Sequence, residues 1–205
     1  MIVKRMKLRD TNCYFISSNE AAVVIDPGYD SDEVLSFLKE NQHKKRIILL
    51  THRHFDHIGG ANMLRVQTGT KIAIGDKDAD ALLSRSETLS ERFNADVAPF
   101  FADMRLLPNE KIQIGDLNFT VMDTPGHTVG SVCYYIENHL FCGDTLFADA
   151  SAILTFPTGS KADYLKTIGK LKKFDMNTVV YPGHGETTTL GKAIGLFECG
   201  VKVRT

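Results

Sequence analysis

The chain has no Cys-x-x-Cys pair, no basic block and no apolar run long enough to cross a membrane, and each absence removes a class of protein. Its four cysteines, Cys13, Cys133, Cys142 and Cys199, lie far apart. They form no disulfide framework and read as buried, reduced thiols. A net charge of −1 without a basic cluster offers nothing to hold nucleic acid or an anionic membrane surface. No segment nears the roughly 20 apolar residues of a membrane span. Residues 1–8 alternate apolar and basic side chains and lack the apolar stretch of a signal peptide. A cytoplasmic protein acting on a small molecule is therefore expected. The 205 residues are 43% hydrophobic and 24% charged, enough to bury a core. No linker, low-complexity tract or sequence repeat interrupts them, so a single domain of two similar halves, about 1–104 and 105–205, is expected.

Histidine and aspartate are unevenly placed. Three of the seven histidines and one aspartate fall in Thr51-His52-Arg53-His54-Phe55-Asp56-His57. Imidazole and carboxylate are ligands of zinc and similar divalent ions, and several in one short loop can converge on one point. Three later turns add one such residue each, beside a glycine: Thr124-Pro125-Gly126-His127-Thr128, Gly143-Asp144-Thr145 and Pro182-Gly183-His184-Gly185. Together they supply five histidines and two aspartates, enough for two ions. His43 and His139 fall at a helix end and in a turn and read as ordinary surface residues.

The apolar pattern places these turns at strand ends. Residues 2–8 suit an edge strand, and 12–17 and 21–25 a hairpin across 18–20. Asp30 with Glu33 resembles a capping box opening a helix to about 42, with Val34, Leu35, Phe37 and Leu38 inward. The run 46–50 is continuously apolar, as in a strand covered on both faces, and it ends on the histidine loop. Ile58, Ala61, Leu64 and Val66 predict a helix closed by Gly69, followed by a strand over 71–74. Residues 76–104 read as broken helix, either a lid or substrate wall or a surface excursion. The second half repeats the pattern: a hairpin of 111–114 and 117–122, strands at 131–136 and 140–142, then a helix capped by Ser160 with Tyr164, Leu165, Ile168 and Leu171 inward. A strand at 178–181 and a helix from about 190 follow. Strands then a helix in each half predict an α/β fold of two mixed sheets packed face to face with helices outside. Open α/β sheets place their chemistry at such strand ends.

In this order, Asp26 in Ile25-Asp26-Pro27-Gly28, the histidine loop, the 124–131 turn, Cys142-Gly143-Asp144-Thr145-Leu146-Phe147 and the 182–191 segment resemble the motifs of the metallo-β-lactamase superfamily. Within it, the likeness is to the glyoxalase II-like (hydroxyacylglutathione hydrolase-like) hydrolases, over nearly the whole chain. The resemblance implies an αββα sandwich with the metals at one sheet edge. It implies that His52, His54 and His127 hold one ion and Asp56, His57 and His184 a second, with Asp144 bridging, and that Asp26 orients the histidine loop by hydrogen bonding. Two divalent ions, zinc foremost and iron or manganese also compatible, would generate a bridging hydroxide at neutral pH to attack a thioester carbonyl. Asp56 and Asp144 would be the catalytic carboxylates, with Asp56 able to shuttle a proton.

The chain also departs from its relatives. His54 stands where flavodiiron-type members have Glu, and Asp144 where many β-lactamases have Cys. Only residues 185–205 follow His184, too few for the C-terminal helical domain of glutathione-specific members, so a short form is expected. No Arg follows Phe147 within 148–155, which weakens glutathione recognition, and Lys192, Lys202 and Arg204 read as a solvated tail. The alternatives are a mononuclear iron sulfur dioxygenase using His52, His127 and Asp144, a hydrolase of another ester or lactone, and a non-catalytic binding module. Residues 76–104 and 148–159 would decide the substrate.

Overall fold

The computed structural model describes residues 1–198; Cys199, Lys202 and Arg204 lie outside them. Two six-stranded sheets face each other. The first runs β1 (Ile2–Leu8), β2 (Thr11–Ser17), β3 (Ala21–Ile25), β4 (Lys45–Leu50), β5 (Lys71–Gly75) and β6 (Met104–Leu106) in chain order. Its first three strands are antiparallel and the rest parallel. The second holds β7 (Lys111–Ile114), β8 (Leu117–Asp123), β9 (Val132–Ile136), β10 (His139–Gly143), β11 (Val179–Pro182) and β12 (Thr188–Thr189). Here only β10 and β11 are parallel.

Strand parity builds the layers. In β4, Ile47 and Leu49 point between the sheets, against Phe119, Val121 and Tyr134, while Ile48 and Leu50 point outward. The outward pair is covered by α1 (Asp32–Glu40) and α3 (Ala61–Thr68), through Val34, Leu38 and Leu64. Burying each such side chain contributes about 1.5–3 kcal/mol. A short α4 (Asp76–Ala79) follows β5, and on the other side α5 (Lys161–Leu171) and α6 (Leu190–Glu198) lay Tyr164, Ile168, Leu171 and Ile194 over Cys133, Leu140 and Cys142. The result is a four-layer αββα sandwich.

Several details differ from the sequence pattern. Ser31, not Asp30, caps α1, its hydroxyl accepting from the Val34 amide at 3.4 Å. The helix expected from Ile58 is two pieces, α2 (Phe55–Ile58) and α3, divided where the Gly60 amide donates to Pro27 O. Val66 is 76% exposed, because the face of α3 that meets the sheet passes through Ala61 and Leu64. Leu165 is 49% exposed and Thr167 takes its inward place. His139 begins β10 rather than lying in a turn, with its ring 5.7 Å from that of Tyr181. Strands β6 and β12 have three and two residues, too short for any alternation to mark them.

Hydrogen bonds close the sandwich along one edge. Tyr134 donates its hydroxyl to Leu50 O at 2.7 Å and Tyr14 to Pro182 O at 2.6 Å. The Val132 amide reaches Thr51 O and the Asn12 amide reaches Gly183 O. These bonds cross from one sheet to the other beside the carboxyl ends of β4, β8, β10 and β11.

Candidate metal centre

All seven ligand-type residues meet at that edge. His52, His54 and His127 form one cluster, Asp56, His57 and His184 another, and Asp144 joins His52 and His57 in a third. His54 Nδ1 lies 3.1 Å from His52 Nε2 and 2.9 Å from His127 Nε2. Asp144 reaches both sides. Its Oδ2 is 3.5 Å from His127 Nε2, and its Oδ1 is 3.3 Å from His57 Nε2 and 3.6 Å from His184 Nε2. Asp56 Oδ2 stands 3.3 Å from His184 Nε2 and 3.6 Å from His57 Nε2.

The outer nitrogens explain why these inner ones converge. His127 donates from Nδ1 to Ile153 O at 2.7 Å, and His184 from Nδ1 to Asp10 O at 2.8 Å. His57 donates from Nδ1 to Asp26 Oδ2 at 2.9 Å. Asp26 also takes the Thr51 amide at 2.8 Å and the Thr51 hydroxyl at 2.6 Å. With its proton on Asp26, that hydroxyl accepts from His52 Nδ1 at 3.1 Å. In the neutral form of these four rings the outer bond fixes the tautomer and turns the Nε2 lone pair inward. Asp26 holds this arrangement from a left-handed backbone, φ 51°, uncommon for a residue with a side chain.

Charge is arranged to match. Burial first, then the neighbouring imidazoles, push His52 and His54 well below the ordinary 6.5. His57 goes the other way: burial opposes its charge, but Asp56, Asp144 and Asp26 outweigh it and hold the ring well above 6.5. His184 is raised against burial by its bond to Asp56 and by Asp144. Burial also opposes ionisation of Asp56 and Asp144, yet His57 beside both keeps them below the usual carboxylate range.

The donor set fits divalent metal. His57 Nε2 and Asp144 Oδ1 are buried 3.3 Å apart without hydrogen-bond geometry between them or to another group, a costly state for polar atoms unless something binds them. Gly183 keeps the space open: a Cβ there would lie 2.4 Å from Asp144 Oδ1 and 2.5 Å from His57 Cε1. His54 Nε2, the outer nitrogen of its ring, is also unpartnered, and nothing in the structure accounts for it.

Residues without a sequence signal complete the surroundings. Buried Asp78 accepts from the Arg53 amide at 3.1 Å, the Thr128 hydroxyl at 2.7 Å and the Gly130 amide at 3.0 Å. It thereby ties the histidine loop to the His127 turn. Beside the clusters opens a cavity of about 340 Å³, lined on its ligand side by His54, Asp56, Asp144 and His184. Its remaining walls come largely from 76–104 and 148–159. Leu89 enters this wall at φ 62°, a strain on the order of 1–3 kcal/mol. The Phe55 amide holds it there through Thr88 O at 2.9 Å. A larger cleft of about 630 Å³ beside Lys7, Arg9, Tyr29 and Asp96 is lined by none of the seven ligand-type residues.

Known proteins match both chain and fold. A hydroxyacylglutathione hydrolase of Psychromonas ingrahamii is 34% identical over 175 residues, 83% of this chain and 59% of that one. Glyoxylase B2 of Dictyostelium discoideum is 35% identical over 161 residues, 76% and 54% of the two chains. This chain thus spans little more than half the length of these curated relatives. Among solved structures, the B3 metallo-beta-lactamase BLEG-1 has a TM-score of 0.86 at 32% identity, covering 95% of this chain and 97% of that one. TTHA1623 in a di-iron-bound form has a TM-score of 0.78 at 27% identity, with 94% and 96% covered. The family match runs from residue 6 to residue 184, leaving only the ends outside, and the chain belongs to the metallo-beta-lactamase superfamily.

Proposed function

We propose that this metallohydrolase is binuclear and cleaves a small thioester, an S-acylglutathione or a related acyl thiol, in the manner of glyoxalase II. One observation carries the reading: Asp144 stands between two complete ligand clusters, with one carboxylate oxygen towards each. His52, His54 and His127 would hold one ion, Asp56, His57 and His184 the other, with Asp144 shared and zinc the first candidate. Two divalent ions there would supply a hydroxide nucleophile at neutral pH and a Lewis acid for the carbonyl.

The protein's part is positioning and charge. Asp26, Asp10 O and Ile153 O aim the imidazoles. Asp56 and Asp144 are held ionised and so bring no proton of their own to a leaving group. A thiolate needs little help to depart, since a thiol's pKa is about 8.5, whereas an alkoxide or amide does need it. The family relatives named for hydroxyacylglutathione hydrolysis support the choice of a thioester. Hydrolysis of a β-lactam is a second reading, with the whole-chain likeness to BLEG-1 behind it.

Metal content measured together with turnover tests the proposal. Wild-type protein is expected to carry two ions per chain and to hydrolyse acyl thioesters. Asp144→Ala is expected to lose at least one ion and 100-fold or more in kcat, on the scale of removing a group that orders the reacting centre. An Asp144→Ala protein that kept both ions and full turnover would sink the binuclear scheme. One iron per chain with oxygen uptake on a persulfide would point to a sulfur dioxygenase, and cleavage of a chromogenic cephalosporin alone to the β-lactam reading.

A further inference from the structure

The cavity beside the ligand clusters has an unusual wall for a site expected to bind a glutathione thioester. Its far side is Phe55, Leu89, Phe93, Phe147, Ile153 and Phe156. Phe55 and Phe93 lie 5.3 Å apart between ring centres, and Phe93 meets Phe156 edge-on at 6.1 Å. Phe156 in turn stands edge-on to His54 at 5.5 Å and to His127 at 6.3 Å. The aromatic surface therefore begins one ring away from the ligand-bearing imidazoles. Phe93 is 50% exposed, although a large apolar side chain at a cavity mouth gains most when something covers it.

Charge is missing where a peptide would need it. Among the described residues no Lys or Arg lines the cavity, and Asp10 adds a carboxylate beyond the ligand set. Glutathione carries a carboxylate at each end and would meet neither guanidinium nor ammonium among the described residues of this lining. Arg92 is near but occupied with the wall itself, its guanidinium 5.4 Å from the centre of Phe156 and 5.8 Å from that of Phe93. Size agrees: if roughly 150 Å³ holds a benzene, about 340 Å³ holds one ring and a short linking group.

We infer that the ligand of this cavity is a compact molecule whose cleaved carbonyl bears an apolar, ring-sized or branched group, seated on the Phe93–Phe156 wall. The assignment of that carbonyl to a thioester rests on the proposed function; the apolar character of the site does not.

Thioesters of one small uncharged thiol, N-acetylcysteamine, separate the two. With metal-loaded protein, kcat/KM should rise from the acetyl to the phenylacetyl thioester by on the order of 100-fold, the range for adding apolar groups to a matching pocket. The lactoyl compound should stay near acetyl. In Phe156→Ala, whose side chain is only half-buried, the phenylacetyl-to-acetyl ratio should fall tenfold or more. A ratio within threefold of one, or a preference for lactoyl, overturns the inference. If no thioester is cleaved, the hydrolase reading fails separately, and binding of the free acids by calorimetry decides the cavity. Phenylacetate binding tenfold tighter than acetate, with the preference lost in Phe156→Ala, supports the apolar site; equal binding overturns it.

Discussion

Asp78 shows what a single residue contributes outside the ligand set. Burial, the largest influence, pushes its carboxyl above the ordinary range, although Arg53, Thr128 and Gly130 all pull it down. Its ionised form is therefore not favoured by the fold for its own sake, and its place follows from what it joins. Arg53 Nε lies 3.7 Å from Oδ1, and both side chains are nearly inaccessible. Asp78→Ala would leave that guanidinium buried without its partner, so a loss of about 3–5 kcal/mol is expected, read by urea unfolding of the metal-free protein. Asp78→Asn keeps one carbonyl acceptor and should lose less. A change under about 1 kcal/mol in the alanine variant would show that the link carries nothing. Nothing in the sequence separates Asp78 from Asp76 and Asp80, which pair with the half-exposed Arg105. The candidate ligands stood out because a metal needs several heads at one point, and that need leaves clustered histidines and repeated His–Gly turns. A buried carboxylate serving backbone amides needs no neighbours in sequence.

Helix α5 makes the same case for an element. Ser160 caps it, its hydroxyl accepting from the Asp163 amide at 3.2 Å, while its own amide donates to Gly126 O at 2.8 Å. Two turns on, the Thr167 hydroxyl donates to Pro125 O at 2.7 Å. The first turns of α5 thus grip the loop that carries His127. Ser160→Ala should cost about 1 kcal/mol, a fall in Tm of about 2–4 °C for a chain of this size, checked by calorimetry on metal-free protein; an unchanged Tm would mean the cap is idle. This cap was legible because Ser followed by an acidic residue three places on sits just before an apolar helical face. At α1 the pattern pointed to Asp30 with Glu33, and only backbone geometry shows Ser31 as the cap, bonded to the amide of Val34, which carries no acidic signal. The 84–95 wall was less legible still. Its shape depends on Leu89 in a left-handed conformation and on bonds such as Thr88 Oγ1 to Ser90 Oγ at 3.1 Å, which no periodicity encodes.

At the scale of the whole molecule, proton and metal binding compete for one cluster. His57 in the metal-free fold is raised above 6.5. Its pairs with the carboxylates therefore stabilise fully below about pH 6.5 and are lost as pH climbs through the raised value. Asp56 and Asp144 are depressed from 3.8, so their share is present above about pH 4 and fades as pH falls through the lower values. Metal requires the neutral imidazole and should expel at least one proton at pH 7, measurable by calorimetry in buffers of different ionisation enthalpy. Metal at 1,000-fold over its Kd would add about 4 kcal/mol to stability. The Tm gap between loaded and chelated protein should widen from pH 6 to pH 8. A gap that narrows over this range would contradict the His57 assignment.

Strand periodicity, continuous apolar runs and the order of the His–Asp turns were enough to predict two sheets under helices, with the ligand-type residues at strand ends. Those features are local, and local spacing is what a sequence records directly. The meeting of the turns at one edge depended on the tertiary structure. It required Tyr14 and Tyr134 to bond across the sheets, Asp78 to bridge two loops, and Gly183 to leave space between Asp144 and His57. The aromatic wall likewise joins Phe55, Phe93 and Phe156, far apart in the chain, because a surface between two sheets is assembled from segments whose separation in sequence has no bearing on their distance in space.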